Sequence, residues 1–401
     1  MKGEQNMISK AIIELIYESA SIQRWNDHIR PWTGFTELDK QAHKMFYAYV
    51  LAKCEGEAVD MQRLVEGGIF EFFHRSVLTD IKPPIYHQLV KEKGRQIDDW
   101  VLGELKEDLS QIGGGFYERM QKYYYEEDYS ALEKQILRAA HYLASNWEFD
   151  VIYSMNLKTF GIEQVKHEMK TGLASCDTFK GFRYFMGSEY LQDFLSLIGK
   201  LRYQQRWAKA VRMPATFVMG HMLVVAILSY FATLETASPC SKRLVNNYFA
   251  GLFHDLAEVL TRDIVSPVKA SVKGLGSIIS GIEQNQMKKV IYPLLPPTWH
   301  EEIAYYTNDE FASRIVLNGE IKKLSSDEIN STYNDDYFNP IDGEIIRGCD
   351  HLSAYMEAYL SLSYGIKSEQ ISSGYNHLAP KYKGKVIGGV DFGTMFDYFK
   401  L

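Results

Sequence analysis

The chain has 401 residues, 46% of them hydrophobic and 24% charged, which excludes a wholly disordered protein and leaves room for two domains. Its 44 basic and 51 acidic residues give a formal net charge of −7, which argues against non-specific binding to nucleic acid. The four cysteines form no CxxC pair, so no thiolate zinc site is indicated and a reducing, cytoplasmic compartment is expected.

Apolar residues at helical spacing predict helices over residues 7–21, 42–53 and 136–149. Strand-like alternation is limited to residues 312–317 and 385–390. The pattern therefore predicts an all-α protein.

The longest apolar run covers residues 213–233 and contains Pro214, Gly220 and His221. These interruptions favour a buried helix over a membrane span, and no membrane association is predicted. The stretch from about Ser372 is rich in Gly, Lys and Tyr, and we expect an irregular tail packed on the body.

Short motifs recur in the same order along the chain, as expected for an internal repeat. The matched positions are Trp25 and Trp207, His43 and His221, His74 and His254, and His141 and Asp350, at separations of 182, 178, 180 and 209 residues. The near-constant first three separations predict two tandem helical domains, at 1–175 and 176–401. The larger last separation predicts an insertion at about 291–342.

His221, His254, Asp255 and Asp350 form a candidate metal site in the second half. Two imidazoles and two carboxylates from three separated helices, with His254 and Asp255 adjacent inside one of them, suit one divalent ion with open positions for water and substrate. Mixed nitrogen and oxygen ligands fit Mn, Co, Ni, Fe or Zn, and the sequence does not choose among them. Taken singly, His221 also fits a core histidine and Asp350 a helix cap or solvated acid.

The order His … His-Asp … Asp, with the doublet extended as Leu-Ala-Glu-Val-Leu-Thr-Arg-Asp, carries a family resemblance. Residues 194–364 resemble the HD-domain metal-dependent phosphohydrolases, and within them the bacterial 5'-deoxynucleotidase (YfbR-like) group. That group removes the 5'-phosphate of deoxynucleoside monophosphates. The fold implied is two tandem HD-domain bundles, the first of them degenerate.

The resemblance also implies roles for individual residues. Glu258 would position or deprotonate the attacking water, and Asp263 would act in catalysis or near the sugar. Arg206, Trp207 and Lys269 would contact the nucleotide, with Arg206 on the phosphate. From the residues alone, an amphipathic helix end with an interfacial tryptophan explains Arg206-Trp207 equally well. The chain departs from the group at Gly220, where an acidic residue is common.

The first half has lost most of the pattern, since its equivalent positions are His43, His74, Arg75 and His141. Arg75 would place a positive charge beside a metal ion, and no equivalent of Glu258 is present. We therefore expect an inactive domain. It would either mimic the second subunit of a dimer or form a regulatory pocket for an anion such as a nucleotide.

The leading hypothesis is a metal-dependent phosphohydrolase acting on a nucleotide, with (deoxy)nucleoside 5'-monophosphates as the first choice of substrate. A nucleoside triphosphate or cyclic-nucleotide hydrolase is a second enzyme hypothesis. A non-catalytic nucleotide sensor or scaffold is a hypothesis of a different class. The internal repeat favours a monomer that works as a pseudo-dimer, with a homodimer as the alternative.

Overall fold

The computed structural model describes residues 7–31, 34–79, 81–262 and 272–401, and most of the regular structure in them is helical. The first-half helices are α1 (Lys10–Glu18), α2 (Glu37–Glu55), α3 (Met61–Leu78), α4 (Pro83–Leu109), α5 (Phe116–Tyr125), α6 (Ala131–Tyr153) and α7 (Ile162–Ala174). The second-half helices are α8 (Lys180–Met186), α9 (Glu189–Gly199), α10 (Val218–Leu234), α11 (Ser241–Phe253), α12 (Glu258–Thr261), α13 (Leu275–Gln286), α14 (His300–Thr307), α15 (Ser326–Glu328), α16 (Gly343–Ser363), α17 (Glu369–Tyr382) and α18 (Phe392–Asp397).

Two small antiparallel hairpins are the sheet structure of the described residues, so the all-α prediction is confirmed. Strand β1 (Arg314–Leu317) pairs with β2 (Glu320–Lys323), and β3 (Val386–Ile387) pairs with β4 (Val390–Asp391). Short 3₁₀ or π helices complete the chain at Lys200–Tyr203, Met287–Ile291, Tyr292–Leu294, Pro297–Trp299, Ile329–Tyr333 and Asp336–Phe338.

The predicted buried helix is α10, in which all 17 residues are buried. It has no polar stripe because it is surrounded by other helices, as expected for a helix that is apolar on every side. Within the described ranges, no helix has both the length and the apolar character needed to cross a bilayer.

A single hydrophobic core runs through both halves, from Ile8 to Phe399. Helices α2 and α10 pack together at its centre, and α3 packs on α11. Aromatic rings join the halves directly, since the centroids of Phe46 and Phe253 are 5.0 Å apart. The predicted boundary at residues 175 and 176 falls just after α7, but the core itself is continuous across it.

One helix of each half also packs against the other half. The Tyr17 hydroxyl of α1 donates to the Ser353 carbonyl of α16 at 2.8 Å. The Leu195 carbonyl of α9 lies 3.0 Å from Nε2 of His43 in α2. Tyr17 and Leu195 are separated by the same 178 residues as His43 and His221, so the exchange is reciprocal in sequence as well as in space.

The backbone repeats closely around the two matched tryptophans. Trp25 and Trp207 both adopt φ 56°, an uncommon left-handed conformation for a bulky residue. The indole Nε1 of each donates to a buried glutamate at 2.8 Å, Glu148 in the first half and Glu357 in the second.

The predicted irregular C-terminal tail is wrong. Residues from Ser372 onward lie largely in α17 and α18, joined by the β3–β4 hairpin. Of the glycines that suggested irregularity, Gly384, Gly388 and Gly389 lie in tight turns and have positive φ, whereas Gly374 and Gly393 lie inside α17 and α18. Pro380 lies inside the last turns of α17, contrary to its usual effect on a helix.

Gly251→Ala tests the close approach of α10 and α11. A Cβ at this position would lie 3.0 Å from the Ala226 Cα, so the helices must separate. We expect a loss of about 1–3 kcal/mol in the free energy of unfolding, measured by urea or thermal denaturation. The matched control is Gly281→Ala in α13, where no atom lies within 4 Å and alanine's higher helix propensity should stabilise by about 0.5–1 kcal/mol. Equal stability of both variants would contradict the packing argument.

Candidate metal centre

Three helices bring the four predicted ligands together. His221 lies on α10, His254 and Asp255 follow the end of α11, and Asp350 lies on α16. The His221 Nε2 is 3.1 Å from an Asp350 oxygen and 3.8 Å from an Asp255 oxygen. The His254 Nε2 is 3.0 Å from the same Asp255 oxygen. Potential ligand atoms of His221, His254 and Asp350 all lie within 4.8 Å of one another, as ligands of one ion do.

The His254-Asp255 doublet lies at a helix end, not inside a helix as the sequence suggested. Helix α11 stops at Phe253, and the backbone then tightens into turns in which Leu256 N–H donates to the Phe253 carbonyl and Glu258 N–H to the Asp255 carbonyl. His254 Nδ1 is 2.7 Å from the Gly251 carbonyl. That bond makes Nδ1 the protonated nitrogen and turns Nε2 toward the other ligands.

Two hydroxyl groups fix the orientation of His221. Its Nδ1 is 2.9 Å from the Ser353 hydroxyl, which is 2.7 Å from the hydroxyl of Tyr17. All three side chains are buried. A first-half residue, Tyr17, thus takes part in orienting a second-half ligand.

The four side chains that converge here are suited to binding a cation. The Nε2 atoms of His221 and His254 are buried, yet neither meets hydrogen-bond geometry with any described residue. Buried polar atoms are rarely left in this state, because each loses its interaction with water. A divalent ion among the two nitrogens and the two carboxylates would satisfy all four groups.

The electrostatics favour charge on the carboxylates. Burial alone would raise the pKa of Asp350, but His221 and His254 hold that pKa well below its usual range. Burial lowers the pKa of His254, but the neighbouring Asp255 outweighs it and raises that pKa to about 9. Since only a neutral imidazole can bind a metal ion, metal binding should release a proton from this cluster.

Residues 198–379 match the family model described as HD domain. The match covers less than half of the chain and supports an HD domain within its second half. HD domains are in general metal-dependent phosphohydrolases, and the matched range includes all four converging side chains. No curated protein matches the chain.

Beside the four candidate ligands, Arg206 lies between two carboxylates. Its Nη1 is 3.9 Å from an Asp255 oxygen, and its Nε is 3.2 Å from both oxygens of Glu357. Burial would raise the pKa of Glu357, but Arg206 and Arg212 keep that carboxyl ionised. The guanidinium therefore lies at the edge of the candidate site, as a phosphate-binding residue must.

Glu357 was not predicted from the sequence, although a signal was present. It holds both Arg206 and Trp207, and it lies 209 residues after Glu148, the separation already seen between His141 and Asp350. Extending the comparison of the two halves by seven residues beyond His141 and Asp350 would have matched Glu148 with Glu357.

Trp207 has a packing role in the second half. Its ring packs with Ala210, Ile371 and Tyr375, and a Cβ on Gly374 would come within 2.5 Å of it. These contacts favour the interfacial interpretation of this tryptophan, and contact with a nucleotide stays a prediction.

Of the predicted catalytic and sugar-binding residues, the structure describes Glu258. Glu258 is buried and begins α12, one turn after Asp255. Asp263 and Lys269 lie outside the described residues. A role for Glu258 in catalysis stays a prediction that its position allows.

The equivalent first-half residues do not converge as a metal site. The Lys40 ammonium lies 2.6 Å from His141, while His74 contacts Asp98 at 3.0 Å. His43 points its Nε2 at the Leu195 carbonyl, and Arg75 lies 3.8 Å from Glu37. A lysine thus lies beside the residue that corresponds to Asp350.

Ser353→Ala tests the hydroxyl chain behind His221. Loss of the partner of Nδ1 frees the ring, so we expect the dissociation constant of the metal to rise about 10–100-fold, measured by competition with a chelator. Tyr17→Phe should give a smaller loss, since it acts through Ser353.

The control for these two variants is Ser363→Ala, an exposed position at the end of the same helix. It should leave metal affinity unchanged. If Ser353→Ala binds metal as tightly as the control does, the hydroxyl does not orient His221.

Proposed function

We propose that the second half hydrolyses nucleotides in a metal-dependent reaction, releasing phosphate from (deoxy)nucleoside 5'-monophosphates. The observation that carries the proposal is the convergence of His221, His254, Asp255 and Asp350, whose Nε2 atoms and carboxylate oxygens approach within 3.0, 3.1 and 3.8 Å of one another. The HD-domain match supports the reaction class. The nucleotide substrate rests on the resemblance to the 5'-deoxynucleotidase group.

The four residues would hold one divalent ion of Mn, Co, Ni, Fe or Zn. Bound there, the ion would supply Lewis acidity toward water and would shield the negative charge of the phosphate. The fold positions these residues in two ways. His221 and Asp350 lie on long helices, whereas Asp255 lies in the turn that leads to Glu258.

Glu258 is the proposed general base. It would accept the proton of the attacking water while the water oxygen bonds to phosphorus and the bond from phosphorus to the sugar O5' breaks. Arg206 would contact the phosphate oxygens through the edge of its guanidinium that faces Asp255. Glu357 would keep that guanidinium in place. Trp207, Asp263 and Lys269 stay proposed nucleotide contacts.

We further propose that the first half is a duplicated domain that no longer catalyses. The matched conformations of Trp25 and Trp207, and the reciprocal helix exchange, support a common origin. The first half then takes the place of the second subunit of a dimer, so that the chain functions as a monomer. All four cysteines are free thiols, which supports the proposal of a cytoplasmic protein.

Metal stoichiometry separates an enzyme from a non-catalytic sensor. We expect one divalent ion per chain in protein prepared without chelator, measured by elemental analysis, and none in His254→Ala. The matched control is His74→Ala, the equivalent substitution in the first half, which should retain the ion. Metal-free wild-type protein, or equal loss in both variants, would contradict the assignment of the site.

Glu258→Gln separates metal binding from chemistry. An amide cannot accept the proton, so kcat should fall about 10²–10⁴-fold while the metal content is unchanged. Turnover is followed as phosphate release from nucleoside monophosphates, with each candidate metal supplied separately. The control is Glu301→Gln, an exposed residue of α14. Full activity of Glu258→Gln would remove this residue from the mechanism.

A further inference from the structure

The first-half counterpart of the metal centre is a group of basic side chains around one histidine. The Lys40 Nζ of α2 lies 2.6 Å from Nδ1 of His141 on α6. Lys44, one turn further along α2, and Arg24 are close enough to His141 to disfavour its charged form. Together with Arg75 in the last turn of α3, these side chains form the basic cluster. His141 is exposed, so the basic cluster opens to solvent at this residue.

Among the described residues, no carboxylate forms an ion pair with Lys40, whereas its neighbours do have such partners. Arg24 donates to Glu37 at 2.9 Å. Lys44 pairs with Glu71. The Lys40 side chain is 0% exposed, and a lysine buried to this degree is rarely without a charged partner. When Lys40 is protonated, its charge therefore has no counterion in contact.

The electrostatics of the basic cluster oppose full protonation of Lys40. Burial strongly lowers the pKa of Lys40, and the charges of Arg24 and Lys44 lower it further. Glu37 and Glu148 oppose this shift without cancelling it. An anion bound beside these cations would stabilise their charged forms, because opposite charges attract. Anion binding here should therefore be accompanied by proton uptake.

The two halves differ in the sign of the charge at matched positions. Arg75 stands where the repeat places Asp255, and His141 stands where it places Asp350. The Nε of Arg75 lies 3.8 Å from Glu37, which connects this guanidinium to the rest of the basic cluster. Carboxylates suit a cation in the second half, whereas the basic groups at the matched positions of the first half suit an anion.

A groove of about 840 Å³ between the halves has cations of a different kind. Its Lys53 pairs with Glu302 at 2.6 Å. Its Lys323 pairs with Asp309 at 2.8 Å. Because these two cations have carboxylate partners, they attract an anion less than a buried cation without such a partner does.

We propose that the basic cluster of the first half binds a phosphate-class anion, with uptake of a proton from solvent by the contacting nitrogens of Lys40 and His141. The side chains of Arg24 and Arg75 are 13% and 19% exposed, so they can donate charge-assisted hydrogen bonds to the anion. Lys40 is buried and contributes its charge from behind His141. The inference does not depend on the proposed function, because the site lies outside the metal centre.

Sulfate is the first probe, because it has the shape of phosphate and its own charge does not change near neutral pH. Calorimetry on the full-length protein should show sulfate binding that tightens as the pH is lowered, since the protonated pair attracts the anion more strongly. Lys40→Met replaces the buried amine by an apolar side chain of similar size. In this variant, the affinity should fall about tenfold or more and its pH dependence should become smaller.

The matched control is Lys106→Met, an exposed lysine in the last turn of α4, which should bind sulfate as the wild type does. Thermal denaturation checks that Lys40→Met is folded, as expected when a buried charge without a partner is replaced by an apolar group. Equal sulfate affinity in Lys40→Met and Lys106→Met, or wild-type affinity that does not change with pH, would overturn the proposal.

Arg75→Gln tests the partly exposed side of the basic cluster while Lys40 is retained. Sulfate binding should weaken about tenfold, because a charge-assisted hydrogen bond is lost, and the pH dependence should remain. Affinity equal to that of Lys106→Met would contradict the assignment of the anion to this cluster.

His254→Ala separates the basic cluster from the metal centre. The weakening caused by Lys40→Met should be the same in the His254→Ala background as in the wild type. If it disappears there, sulfate binds at the metal centre and the proposal is wrong.

Free phosphate and the phosphate of a nucleotide share the chemistry of this site, and competition between ligands distinguishes them. Inorganic phosphate and a nucleoside monophosphate are titrated separately into His254→Ala, and both should lose affinity on addition of Lys40→Met. A monophosphate that binds about tenfold more tightly than inorganic phosphate would identify a nucleotide as the ligand, whereas equal affinities would identify free phosphate. No loss with either ligand would overturn the proposal.

Discussion

The structure depends on bringing two carboxylates and two imidazoles into a space from which water is largely excluded. His221 lies in a helix whose 17 residues are all buried, so the helix cannot turn its ligand toward solvent. Removing such groups from water costs several kcal/mol unless each finds a partner. A divalent cation would provide that partner for all four groups at once, at the point where α10, the end of α11 and α16 meet.

The two halves accommodate buried charged groups in different ways. Both retain an Arg-Trp pair held by a glutamate, but the first half has Lys40 where the repeat places Val218. The Lys40 Nζ lies against His141, at the position where the second half has Asp350. Burial strongly lowers the pKa of both Lys40 and His141, which disfavours the charged form of each side chain. In the first half, a contact between two side chains of the protein thus takes the place of the candidate ligand Asp350.

The sequence was sufficient to predict the all-α class. It was also sufficient to identify the residues that converge, because few types of side chain can bind a metal ion. It did not reveal Ser353 and Tyr17, since their contact joins positions 336 residues apart and has no counterpart in local periodicity. It misplaced the His254-Asp255 doublet inside a helix, because the apolar pattern continues through Leu256 while the backbone tightens. It also predicted an irregular tail from a glycine-rich segment, although Gly384, Gly388 and Gly389 lie in the turns between ordered elements.

Gly220 shows how the first half contributes to the candidate metal centre. The sequence marked it as a departure at the position before the first ligand, where an acidic residue is common in the resembling group. In the structure its N–H donates to Asp39 of the first half at 3.0 Å, and a Cβ at this position would come within 2.9 Å of the same carboxylate oxygen. An acidic side chain could not fit there, but a carboxylate from the other half occupies the adjacent space. Together with Tyr17 behind His221, this contact makes the first half part of the packing that supports the candidate metal centre.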